Sequence, residues 1–179
     1  MSIPMRFRTY SSHETYTNCK IWEAARATSA TPTLFKSIDL GRQQLYVDAG
    51  MGCNNPTQMV LDEAAYLFGR RQIGCLMSVG TGRGQVIAIE RPAIDIVDVL
   101  REITTDCEDM HQQMLRRFTN LPNTYFRVNV EHGMQGFDIS DWERLAKVEA
   151  HMAQYLKVRE VEKKTLRCWL VRFMHRKRR

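Results

Sequence analysis

Leu45 to Pro56 reads LYVDAGMGCNNP: an apolar run, a carboxylate, two glycines and the opening of a helix within one short stretch. Leu45, Tyr46 and Val47 favour a strand, so Asp48 falls at its carboxyl end, and Gly50 and Gly52 permit positive φ or close approach of another group. Asn55 suits a helix cap and Pro56 a first turn, where no intrahelical N–H partner is needed; Gly69 stands where a C-terminal stop belongs. Open α/β sheets bind ligands beyond the carboxyl ends of their strands, which makes Asp48 a candidate functional acid. The competing reading is a turn aspartate that bonds nearby backbone.

Outward from this stretch the pattern is again α/β. Cys19 to Ala30 predicts a helix led by Ile21 and Trp22, with Ala24, Ala25, Ala27 and Ala30 for close packing; its Thr28 and Ser29 are expected to bond backbone, and Pro32 ends it. Met5 to Tyr10 alternates apolar and basic residues, predicting a strand. Pro56 to Phe68 has helical periodicity, Ile73 to Val79 reads as a buried parallel strand, and Pro92 to Leu100 and Thr104 to Phe118 read as helices, the second capped by Thr105. Thr124 to Val130 is a strand candidate. Ser140 to Leu156 is a helix candidate, with Ser140 and Glu143 spaced as a capping box.

From Phe7 to Leu156 the chain resembles the C-terminal half of a patatin-like phospholipase domain of the kind common in fungi. The stretches FRTYSS, CKIWEAARATSATPTLF, YVDAGMGCNNP, SVGTG, TDCEDMHQQ and YFRVNVEHG carry the resemblance. It implies an α/β fold: part of a three-layer α/β/α sandwich with a mostly parallel sheet, its N-terminal part missing, over residues 1–156. The implied activity is that of a serine acyl hydrolase acting on lipid esters through a Ser-Asp dyad, with no cofactor. Asp48 takes the place of the dyad base, and Asp48, Ala49 and Gly50 that of the family's Asp-Gly-Gly or Asp-Gly-Ala motif, with Ala49 where the motif has glycine. The family's other two elements, a glycine-rich oxyanion loop and a G-x-S-x-G nucleophile elbow, do not occur among these residues. No serine has glycines two before and two after it, and Gly82, between Gly80 and Gly84, puts glycine where the nucleophile would stand. Hydrolysis by this chain alone is therefore not expected. A partner chain that completes the sheet is.

Other chemistry is weakly supported. Gly80 to Gly84 lacks the Gly-Lys-Ser/Thr of a phosphate loop, and Gln85 stands where a dinucleotide fingerprint needs glycine. Cys107 and His111 lie four apart without further ligands in view, which favours packing over a metal site; His132 and His151 are read as structural. Five widely spaced cysteines suggest neither a disulfide framework nor zinc and suit a reducing, cytoplasmic setting. Neither a signal peptide nor a membrane-spanning run is expected, since no apolar stretch approaches 20 residues.

Charge divides the chain. Ten of the 26 Lys and Arg lie from Lys157 onward beside only Glu160 and Glu162, which leaves 16 basic against 18 acidic residues before them. Leu166, Trp169, Leu170, Phe173 and Met174 recur at helical spacing in this tail, residues 157–179. Such a basic amphipathic segment reads as a solvated or interdomain helix, as a face for anionic lipid, or as a bipartite nuclear import signal. Nucleic acid is not an expected partner. The alternative function is thus a non-catalytic protein that binds lipid or another protein through its tail.

Overall fold

The computed structural model describes residues 4–10, 19–32, 34–41, 44–82, 107–130, 133–134, 137, 141–158, 160–163 and 166. It falls into two compact units, residues 1–54 with 103–105, and residues 55–102 with 106–179.

The first unit contains α1 (Ile21–Thr28), β1 (Ile38–Asp39), β2 (Leu45–Tyr46) and the short α2 (Gly50–Cys53). Helix α1 begins where the Lys20 amide donates to Glu23 Oε2 at 2.7 Å. At its end Thr28 and Ser29 both donate their hydroxyls to the Ala25 carbonyl, as expected of polar side chains in a last turn. Its buried side is the small one, Ala27 together with Ala30 beyond the helix end. Ile21 and Trp22 stay exposed. The Arg26 guanidinium reaches the Lys36 carbonyl and lies 5.8 Å from the centre of the Phe35 ring.

β2 pairs antiparallel with β1, Ile38 opposite Tyr46 and Asp39 opposite Leu45. The turn between them uses Gly41 at φ 90°, whose amide donates to Asp39 Oδ1 at 2.8 Å. Met5 to Tyr10 does not form the expected strand: it has no ladder, and its Phe7 ring packs 5.8 Å from Tyr46 instead. Alternation of apolar and polar residues supplies a strand's faces but not the neighbour that satisfies its amides.

The second unit contains α3 (Thr57–Phe68), β3 (Leu76–Gly80), α4 (Glu108–Arg117), β4 (Tyr125–Asn129), a 3₁₀ turn (Trp142–Arg144) and α5 (Leu145–Leu156). β3 and β4 are parallel, in register from Leu76 with Tyr125 to Gly80 with Asn129. Leu61, Leu76, Met114 and Phe118 make the core, with Ile73, Met110 and Tyr125 packed on it. The expected buried strand is therefore buried on one face only: Leu76 and Ser78 point inward while Val79 is 73% exposed.

Helix α3 opens on Asn55, whose Oδ1 accepts the Thr57 amide, one residue ahead of Pro56. It closes on Gly69 at φ 61°, ψ −128°, its amide donating to the Ala65 carbonyl at 2.9 Å. A Cβ has open space at Gly69, so substitution there tests backbone conformation alone. Gly69→Ala is expected to lower unfolding free energy by about 1–3 kcal/mol, the cost of a side chain in a region nearly reserved for glycine. Urea denaturation checks this, and an unchanged midpoint would contradict it.

Several expectations fall outside the described residues: the helix over 92–100, the Thr105 cap, the Ser140 cap, His132, and the tail beyond residue 166. The cysteine reading is corrected. Cys75 is disulfide-bonded, while Cys19 and Cys53 are free thiols. Disulfides depend on which Cβ atoms the fold brings together, a proximity that separation along the chain does not report.

Candidate active site

Asp48 lies two residues beyond the end of β2 and is half-buried. Its backbone amide donates to the Ala30 carbonyl at 3.0 Å, which fastens the end of β2 to the segment after α1. Both carboxylate oxygens are engaged. Oδ1 accepts the Gly50 amide at 3.0 Å, and Oδ2 accepts the Thr31 hydroxyl at 2.9 Å.

The first bond closes a local turn, as the simpler reading of this aspartate anticipates. The second reaches across 17 residues, and nothing in the spacing of Thr31 and Asp48 signals it. A carboxylate has about four lone-pair sites, so two donors leave it able to accept another hydroxyl.

The motif residues fit this geometry. Ala49 sits at φ −79°, ψ 4°, where an alanine is accommodated as readily as the family's glycine. Gly50 faces the acid closely: a Cβ there would lie 3.2 Å from Asp48 Oδ2, so a larger residue would crowd the carboxylate. Gly52, at φ 102°, supplies the left-handed turn inside α2.

A different polar cluster lies in the second unit. Asn55, 8% exposed, bonds Thr57 through Oδ1, donates to the Cys107 carbonyl at 3.3 Å and receives the Ser78 hydroxyl at 3.5 Å. It joins the starts of α3 and α4 to β3, a role beyond the cap read from sequence. Ser78 also accepts Arg127 Nη1 at 2.9 Å.

His111 does not turn to Cys107 for a shared ligand; its Nδ1 lies 3.0 Å from the Tyr125 hydroxyl. Burial raises the pKa of that phenol, with Arg127 and Ser78 opposing, so it stays protonated and available for hydrogen bonding. The His151 ring packs against Gly133, where a Cβ would come within 2.9 Å of it. Among the described residues no group of three or more His, Cys, Asp or Glu is placed to hold a metal ion. No helix among them is long and apolar enough to cross a membrane.

Fold and site together define a mixed α/β protein with a small parallel sheet and, in its first unit, a carboxylate held at a strand end. Residues 1–61 match the model of the family described as patatin-like phospholipase, and the chain carries a patatin-like domain. It is 31% identical over 115 residues to the human calcium-independent phospholipase A2-gamma, covering 62% of this chain and 14% of that protein. It is 26% identical over 164 residues to the patatin-like phospholipase 1 of Plasmodium falciparum, covering 76% of this chain and 24% of that protein. With phospholipase A I of Arabidopsis thaliana the identity is 29% over 150 residues, 78% of this chain and 11% of the relative. The chain thus spans a quarter or less of the length of these curated relatives. No solved structure matches.

Proposed function

We propose that Asp48 is the base of a Ser-Asp dyad for hydrolysis of lipid acyl esters, and that the serine and the oxyanion loop come from a segment not among these residues. Residues 1–156 would then be the C-terminal half of a three-layer α/β/α domain, its sheet completed by that segment or by a partner chain. The observation that carries the reading is the Asp48 carboxylate, fixed after β2 by Thr31 and Gly50 with acceptor capacity to spare.

In such a site the aspartate accepts the serine proton as the oxygen attacks the ester carbonyl, amide donors hold the oxyanion, and water releases the acyl group. Sequencing the transcript ahead of the Met1 codon tests it. The expected result is an open frame encoding a glycine-rich loop and G-x-S-x-G; an in-frame stop with no such elements upstream would overturn it.

The concentration of positive charge after Lys157 supports a second reading, a chain without hydrolytic activity that docks on an anionic membrane surface from the cytoplasm. Vesicles containing phosphatidylserine are then expected to retain the purified chain at low salt. Binding should fall several-fold on raising ionic strength or on removing residues 157–179, while Asp48→Asn leaves it unchanged. Failure to co-sediment with such vesicles would remove this reading.

A further inference from the structure

Within the second unit, α4, β4 and α5 border a half-open cavity of about 590 Å³, inside the size range of small-molecule sites. Leu115, Phe126, Val130, Val158 and Val161 give it apolar walls. Arg127 also lines it, with a side chain only 5% exposed.

A guanidinium this deeply buried ordinarily has its donors and its charge answered by close acceptors. Here one donor is answered by the neutral Ser78 hydroxyl, and Nε is buried with no acceptor among the described residues. The nearest carboxylate among the described residues, Glu108 Oε1, stands 3.8 Å from Nη2, beyond hydrogen-bond reach, and Glu108 has a further interaction of its own. His111 and the Tyr125 hydroxyl lie on the same wall, and Glu160 also borders the cavity.

We propose that this cavity binds a fatty acid monomer, its carboxylate against Arg127 and its chain along the apolar wall formed by Leu115, Phe126, Val130, Val158 and Val161. A carboxylate supplies the close anionic acceptor that Arg127 lacks, in the geometry guanidinium recognises best, and the methylenes leave water for a surface that is already apolar. An inorganic anion would use only the first of these and a long-chain alcohol only the second. Glu108 and Glu160 also line the cavity and repel any anion, a dianion most, so of the anionic ligands one with a single carboxylate is opposed least. The proposal is independent of the role assigned to Asp48.

Calorimetric titration of the full chain with decanoate below its micelle concentration tests it, with decan-1-ol and acetate as comparison ligands. Saturable one-to-one decanoate binding is expected, with the alcohol and acetate each at least tenfold weaker. Arg127→Gln and Val158→Trp should each weaken decanoate at least tenfold, the first by removing the cation and the second by filling the space. Asp48→Asn should leave it unchanged. Should Arg127→Gln fail to fold by circular dichroism, Val158→Trp at a half-exposed position and the acid-to-alcohol ratio decide the matter. No decanoate binding, equal binding of decan-1-ol, or binding untouched by Val158→Trp would overturn the proposal.

Discussion

Incubated with 4-nitrophenyl butyrate, the purified chain is expected to release nitrophenolate at the buffer rate, with Asp48→Asn indistinguishable from the parent. Removing the nucleophile of a serine hydrolase costs about a millionfold in rate, and no serine in this chain lies in a G-x-S-x-G frame. Among the described residues, Thr31 is the hydroxyl that the fold brings to Asp48. It lies just beyond α1 and ahead of Pro32, not on the strand-to-helix elbow that exposes a nucleophile to oxyanion donors. Its bond to Oδ2 is therefore read as a brace for the acid. Including Thr31→Val in the assay separates the two roles. A rate above background that collapses in both Asp48→Asn and Thr31→Val would make Thr31 the nucleophile and end the account of an acid awaiting its serine.

Met114→Ala is expected to destabilise the second unit by about 2–5 kcal/mol, the range for emptying a large side chain from a packed core. Met114 is 1% exposed and belongs to the same core as Leu61, Leu76 and Phe118, contributed by α4, α3, β3 and the end of α4. Removing it leaves a void that helices tied to a short parallel ladder cannot close without breaking other contacts. In a thermal melt the transition should fall by on the order of 10 °C. Val60→Ala, at a site 51% exposed on α3, should stay within about 0.5 kcal/mol of the parent. Equal effects of the two substitutions would mean that Met114 is not at the centre of the core.

Legibility followed the range of the interactions. Helix α3 was readable because Asn55, the periodic apolar positions and Gly69 act within a few residues of one another. β4 was readable because Tyr125 to Asn129 alternates β-branched and aromatic residues with polar ones. Met5 to Tyr10 had the alternation of a strand and lacked a ladder partner, a deficit invisible in its own residues. The alanines of α1 were legible as its packing side, and Ala27 and Ala30 are the ones the fold buries, while Ile21 and Trp22 at the helix start stay exposed. The disulfide at Cys75 was missed because the widely spaced cysteines offered no pairing pattern.

The residues alone determined that a strand would lead to Asp48, turn through glycines and go on toward a capped helix, because strand propensity, turn conformation and capping are local. They also determined the charge asymmetry of the tail. Tertiary structure decided the rest. It paired β2 antiparallel with β1, brought the Thr31 hydroxyl across 17 residues to the acid, and left Arg127 deeply buried with an unanswered donor beside an apolar cavity. Each of these is a meeting of groups distant along the chain, and only the folded path of the backbone determines which distant groups meet.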